Sequence, residues 1–244
     1  MPSRLRYWSE MLMARLPALI PSSCALCAMK ASGALCTPCR AQFFQPRAQR
    51  CHRCALPTDS APACGDCLSN PPAFDATIVA TDYLPPIDQL VLGLKFGGRL
   101  ALAPLFGALL RDALLATRHA AATLPTCLAP VPLSAQRLAE RGFNQALEIA
   151  RPLSRSLGIE LIPQLLVRVR ETRAQAELPV AERHKNVRHA FVVAQSSAEL
   201  AGRHVGIVDD VITTGATLNE LAATLKRFGA ARVTNLVFAQ TLPK

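Results

Sequence analysis

Aromatic side chains are scarce in this sequence: nine Phe, two Tyr and one Trp make 5% of 244 residues. A platform that stacks successive bases of a single strand needs more of them, so that role is poorly supplied. Acids are the minority charge, 17 Asp plus Glu against 27 Lys plus Arg, and the resulting +10 favours anionic ligands such as phosphates or nucleic acid. Uninterrupted apolar runs are missing as well. A spanning helix needs about 20 mostly apolar residues. The run between Arg118 and Arg137 is interrupted by His119, Pro125, Pro130 and Pro132, and the one after Arg4 and Arg6 by Glu10, Arg15 and Pro17. The expectation is a cytoplasmic chain with no transmembrane segment and no cleaved export signal, its residues 1–20 an amphipathic segment packed on the protein's own body. Half of the residues are apolar, which excludes disorder and allows one ample domain or one plus a small module.

Cysteine is plentiful and strongly placed. Eight of nine lie in the first 67 residues as four identical pairs, Cys24/Cys27, Cys36/Cys39, Cys51/Cys54 and Cys64/Cys67. A two-residue gap lets one tight turn aim both sulfurs at a single ion, and two such turns complete the tetrahedral thiolate shell that zinc prefers. Four pairs supply two structural zinc sites. Neighbouring pairs sharing an ion is the simpler arrangement, and interleaving is allowed. A disulfide framework fits poorly without an export signal, a redox pair would need one motif beside a βαβ unit, and c-type haem would need a following His. The same soft ligands also serve iron–sulfur clusters. Loading eight thiolates with two zinc ions lowers the formal charge to about +6, and in so small a module the metals supply most of the folding free energy. Arg40, Arg47, Arg50 and Arg53 between the pairs read either as a nucleic-acid or protein contact or as a solvated basic face. Cys127, alone in the apolar run Thr126 to Val131, reads as a buried inert thiol.

Ser69, Asn70, Pro71 and Pro72 punctuate the chain, and the boundary falls there, leaving a ribbon module at 21–70 and a second domain at 71–244. Strand-like segments at Ala76–Tyr83, Thr126–Val131, Leu161–Val169, Phe191–Val193, Val205–Val208 and Arg232–Ala239 alternate with helix-like ones at Ile87–Phe96, Ala101–Thr117, Ser134–Gly158 and Thr217–Phe228. A break is expected before Pro152. Such alternation predicts an α/β fold, a parallel sheet flanked by helices.

The segment VGIVDDVITTGATL, Val205 to Leu218, carries the sharpest chemistry. An apolar strand delivers Asp209 and Asp210 at its carboxyl end, where open α/β sheets bind ligands. Thr213, Thr214, Gly215, Ala216 and Thr217 then open a helix, whose backbone N–H groups and dipole suit a phosphate. Two carboxylates cannot serve that anion; they suit the paired hydroxyls of a ribose. A strand-end turn with Thr as helix N-cap explains one threonine and leaves the repulsion of two consecutive acids unexplained. His119, His184, His189 and His204 have no recognisable catalytic partner and read as satisfied or exposed.

This segment resembles the phosphoribosyl pyrophosphate signature of type I phosphoribosyltransferases. Together with the leading C-x-x-C knuckles, the blocks APVPLSAQRLAERGFNQA (Ala129 to Ala146) and LLVRVRETRAQAELPVAERHKNVRHAF (Leu165 to Phe191) are similar to the ComF/GntX family. The resemblance implies a type I phosphoribosyltransferase-like sheet behind a double zinc ribbon, binding phosphoribosyl pyrophosphate with magnesium. Asp209 and Asp210 would be its catalytic acids, and Thr213 to Thr217 its phosphate loop. It implies a pyrophosphate loop at Pro130–Ser134, including Val131 and Pro132 and followed by Arg137 and Arg141. A basic mobile loop would carry Arg168, Arg170, Arg173, Arg183 and Lys185. The block around Leu94, Lys95, Phe96 and Arg99 also looks like the family's, with a surface lysine as the plain alternative. The family's association with natural competence implies two functions: phosphoribosyl transfer to an acceptor the sequence does not name, or a non-catalytic part in handling single-stranded DNA with a helicase partner. Nothing in the sequence speaks to oligomeric state.

Overall fold

The computed structural model describes residues 22–45, 49–59, 62–117, 124–169, 189–194 and 197–242. Residues 1–20, Arg47, His119, Arg170, Arg173, Arg183, His184 and Lys185, all named above, lie outside them. The chain divides into two compact units, Met1–Gln45 and Pro46–Lys244.

The first unit holds two two-residue strands, β1 (Ser22–Ser23) and β2 (Lys30–Ala31), paired antiparallel, and α1 (Thr37–Phe43). Its core is small: Cys24, Ala31 and Cys39 are buried, with Leu26, Leu35 and Phe43 packed against them. So little apolar area cannot hold a fold by itself, which makes the metal ligands the organising element.

The second unit begins with the other four knuckle cysteines and α2 (Gly65–Ser69). There follow β3 (Ala76–Asp82), α3 (Ile87–Lys95), a 3₁₀ turn at Leu100–Leu102, α4 (Ala103–Leu115) and β4 (Cys127–Pro130). Next are α5 (Ala135–Arg141), α6 (Gln145–Leu157), β5 (Glu160–Leu161), β6 (Leu166–Arg168), β7 (Phe191–Val193) and α7 (Ser197–Leu200). The unit closes with β8 (His204–Ile212), α8 (Ala216–Arg227) and β9 (Arg232–Gln240). Five strands form a parallel sheet in the order β3-β9-β8-β4-β5, and β6 pairs with β7 as a separate antiparallel hairpin. The expected α/β architecture is therefore what the chain adopts. β8 and β9 lie at its centre, and their continuous apolar runs are those of strands covered on both faces. On one face Phe106 of α4 stacks on Phe238 of β9, centroids 3.6 Å apart and planes 2° from parallel.

The ribbon boundary and the packing boundary fall at different places. Composition changes near residue 70, whereas the second knuckle group packs as part of the unit that holds the sheet. The Thr77 N–H of β3 donates to the His52 carbonyl at 3.0 Å. Arg50 reaches Asp82 at the end of β3 and the Ala55 carbonyl inside the knuckle, both at 2.9 Å. Arg50 therefore does not belong to a solvated basic face; it fastens the knuckle to the sheet.

Three local expectations also change. The helical region is interrupted at Gly142, which adopts φ +75° and ends α5, and not at Pro152, which lies inside α6. Pro152 faces the glycine of α4: a Cβ on Gly107 would stand 3.1 Å from both Pro152 Cγ and the Leu153 nitrogen. That close crossing offsets the hydrogen bond the proline removes. The segment expected as one strand over Leu161–Val169 is divided between β5 and β6. β8 continues through both acids to Ile212 instead of stopping at Val208.

Candidate functional site

Because β8 continues, Asp209 and Asp210 are strand residues at the sheet edge, and their carboxyl groups are close enough to act on each other. Asp209 is half-buried and Asp210 is buried. Each accepts the N–H of the residue after it, Asp209 Oδ1 from Asp210 at 2.9 Å and Asp210 Oδ1 from Val211 at 2.8 Å. The neighbouring strand ends first: β4 pairs with β8 only as far as Pro130 opposite Val208. Beyond that point the ladder of β8 continues to β9 alone, so the acids border a notch at the carboxyl edge, where sheets of this kind admit ligands. Burial, then the neighbouring Asp210, raises the Asp209 carboxyl well above its ordinary value, while Lys95 opposes the shift.

Gly215, at φ +74°, turns the chain from β8 into α8 and occupies the cap position without a side-chain acceptor. The N-cap threonine considered above is thus replaced by a glycine; Thr214 Oγ1 only approaches the Ala216 N–H, at 3.4 Å. Thr213 is exposed, and Thr214, Gly215 and Thr217 are half-buried beside the buried Ala216. The positive end of a twelve-residue helix therefore sits next to the acids.

The loop after β4 is tied down. Val131 donates to the Val208 carbonyl at 3.0 Å, and its own carbonyl accepts Asn144 Nδ2 at 3.0 Å. Asn144 in turn caps α6 through the Ala146 and Leu147 N–H groups, and Ser134 caps α5 through Arg137. Pro132 and Arg137 are half-buried along this path. Arg141 reaches the acids' surroundings: its guanidinium lies 5.0 Å above the Phe96 ring and donates to Gln145 Oε1 at 2.7 Å. Burial lowers its pKa, Asp210 draws it back, Arg137 adds to the lowering, and Glu140 and Asp209 oppose it more weakly. Arg168 lies elsewhere, over the Phe191 ring in the β6–β7 hairpin.

Lys95, which the sequence leaves between a family block and a surface residue, is the addition. Its Nζ stands 3.0 Å from Asp210 Oδ2, with Asp210 3% and Lys95 22% exposed. No short-range pattern reveals this, because α3 and β8 are far apart in sequence. Magnesium takes oxygen donors, and the donor set at this edge, two carboxylates, is of that hard-oxygen kind.

The knuckles form two four-thiolate zinc-ribbon sites by neighbour pairing: Cys24, Cys27, Cys36 and Cys39 in one, Cys51, Cys54, Cys64 and Cys67 in the other, the sulfurs of each within 4.8 Å of one another. The Cys27–Cys36 and Cys54–Cys64 sulfurs are each 3.6 Å apart. A tetrahedron with Zn–S of about 2.3 Å has an edge near 3.8 Å, so the spacing fits the ion. Burial opposes ionisation of Cys24, but the N–H groups of Cys27, Cys36 and Leu26 outweigh it and lower the thiol to about 6. Cys51 repeats this, burial against the N–H groups of Cys54, Cys64 and Arg53, again giving about 6. In each cluster the lowered thiol is thus at the same position. Cys127 is fully buried, and burial raises its thiol. His204 is held by the Thr234 hydroxyl at 2.8 Å. Among the described residues, no helix is long and apolar enough to cross a membrane.

A double zinc ribbon domain model matches residues 16–68, and a phosphoribosyl transferase domain model matches residues 144–241. The DNA utilization protein YhgH of Salmonella typhi is 37% identical over 229 residues, 91% of this chain and 99% of that protein. Competence protein F of Haemophilus influenzae is 36% identical over 174 residues, 70% of this chain and 75% of that one. Among solved structures, the purine phosphoribosyltransferase of Pyrococcus horikoshii Ot3 aligns over 67% of this chain and 77% of its own at 18% identity, with a TM-score of 0.31.

Proposed function

Because this chain belongs to the ComF/GntX family, together with DNA utilization protein YhgH and competence protein F, we propose that it binds phosphoribosyl pyrophosphate with magnesium and transfers the phosphoribosyl group to an acceptor, releasing pyrophosphate. The observation that carries this reading is the adjacency of Asp209 and Asp210, at a strand edge β4 leaves open, to the α8 N-terminus turned by Gly215. The relatives' names, DNA utilization and competence, supply the proposed setting of incoming DNA, where a helicase and single-stranded DNA would be partners.

In this mechanism the bond between the anomeric carbon and pyrophosphate breaks, the electron pair leaves with pyrophosphate, and the acceptor's lone pair forms the new bond. The acceptor's proton, where it has one, passes to solvent. Asp209 and Asp210 accept the ribose hydroxyls and stabilise the positive charge that develops on the ring. The N–H groups and hydroxyls of Thr213 to Thr217 hold the 5-phosphate. Val131, Pro132, Arg137 and Arg141 face the leaving pyrophosphate, and the guanidinium charges offset the charge it takes away. Bound magnesium, held near Asp209 and Asp210, would offset the negative charge that builds up on the leaving pyrophosphate.

At a hundredfold excess over Kd, magnesium with phosphoribosyl pyrophosphate should stabilise the protein by about 2.7 kcal/mol, a rise in Tm of about 5–10 °C for a chain of this size. Asp209→Asn should remove that shift. Pyrophosphate release, screened against bases, amines and oligonucleotides, identifies the acceptor. An unchanged Tm in the wild-type protein overturns the reading; a shift without pyrophosphate release from any acceptor leaves a sugar-phosphate sensor in place of an enzyme.

A further inference from the structure

The ionic surroundings of the acid pair contain two cations of different kinds. Arg141 is fixed: its guanidinium lies on the Phe96 ring and donates to Gln145 Oε1. Lys95 is not. Its ammonium stands 3.0 Å from Asp210 Oδ2, yet that oxygen, buried, accepts no hydrogen bond, so the contact is an ion pair without hydrogen-bond alignment. A lysine on a four-carbon stem at the end of α3 can leave such a partner readily. Asp210 cannot follow, because its other oxygen is engaged by the Val211 N–H.

We infer that Lys95 is the resident counter-ion of Asp210, a positioning residue that makes two adjacent carboxylates approachable by a polyanionic sugar diphosphate and yields its place when that ligand binds. This rests on the sugar-phosphate reading of the same site. Two acids at a strand edge repel a diphosphate carrying several negative charges, and the helix N-terminus alone does not cancel them. With Lys95 on Asp210 the edge carries less net charge as the ligand arrives. Once the ligand's hydroxyls meet Asp210, the ammonium is free to turn to the ligand's own phosphates. Arg141, engaged by Phe96 and Gln145, supplies constant charge and cannot make that exchange.

The test uses the zinc-loaded full chain and two probes in calorimetric titrations, phosphoribosyl pyrophosphate and inorganic pyrophosphate, each with magnesium. Lys95→Met should weaken both by about tenfold, and Lys95→Arg should recover most of the loss. Adding Asp210→Asn to Lys95→Met should restore pyrophosphate binding, because the uncompensated carboxylate is then gone; a double-mutant cycle reads this coupling directly. A structural role for Lys95 would lower Tm without that rescue of affinity. The double variant removes both charges and so remains measurable where Lys95→Met folds poorly. Undiminished binding by Lys95→Met overturns the inference and leaves the proposed function standing, as does a double variant no better than the single one, which would make Lys95 a direct ligand only. Wild-type protein that binds pyrophosphate but not phosphoribosyl pyrophosphate breaks the sugar reading, and the cycle on pyrophosphate then still decides the part played by Lys95.

Discussion

Two regions of this protein gather like charges, and they resolve the repulsion in opposite ways. At each ribbon site four cysteines converge, and backbone N–H groups ease ionisation of one of them. At the β8 edge two carboxylates converge, and a lysine from another element already stands against one of them. A closed shell of thiolates is made for an ion that stays, since the metal is part of the folding free energy. Carboxylates facing one lysine from another element are, on the proposed reading, open to a ligand that comes and goes. The difference teaches that clustered charge is read by its counter-ion: a permanent one marks architecture, an exchangeable one marks a binding site.

The sharpest way to break this comparison is to remove a permanent counter-ion. Cys51→Ser should abolish the second site and forfeit a large part of the roughly 10 kcal/mol that a structural zinc supplies. Because the knuckle is bonded to β3 through His52 and Arg50, the loss should reach the sheet and appear as a melt lowered by more than about 10 °C. Cys24→Ser should halve the zinc content equally but leave the melt of the Pro46–Lys244 unit in place. Equal melting losses from the two variants would contradict the division into units.

Arg50 tests the same link more gently. Its pair with Asp82 is mostly buried, 21% and 8% exposed, whereas Lys226 and Asp75 form a comparable contact at 35% and 36%. Arg50→Ala should therefore cost about 2–3 kcal/mol, leaving a buried carboxylate unpaired, and Lys226→Ala under about 1 kcal/mol. Denaturant titrations separate them. If both cost the same, Arg50 is not the fastening between knuckle and sheet.

The legibility of these regions in the sequence follows from the range of the interactions. The C-x-x-C spacing is local geometry, so the zinc ligands can be read from the chain itself, whereas the choice of neighbour pairing over interleaving is made by the fold, which gathers each set of four sulfurs. Alternation of apolar runs likewise reports β3, β4 and β9 to within a residue or two. The acids were visible as a motif, but not as strand residues, because the partner that keeps β8 extended to Ile212 is β9, a strand later in the chain. Pro152 misled because what tolerates it, the close approach of Gly107, is on another helix. Lys95 and Arg50 were seen and left unassigned for the same reason: their carboxylate partners, Asp210 and Asp82, are brought near only by the fold.

The smallest effect in this series carries the opposite sign from the others. The Asp209 carboxyl is raised well above its ordinary value by burial and by Asp210. A carboxyl with a raised folded-state pKa leaves the folded chain holding more protons than the unfolded one, so stability falls as pH climbs from about 4 through the folded-state value. At neutral pH the folded protein therefore bears the cost of that charge. Asp209→Asn should raise ligand-free stability at pH 7 and flatten its fall with pH above about pH 4, even as it removes the response to phosphoribosyl pyrophosphate. Thermal melts across that pH range decide it. A variant less stable than the parent at pH 7 would mean that the carboxylate is a structural group, satisfied by its bond to the Asp210 N–H, and would place the acid pair on the architectural side of the comparison with the thiolates.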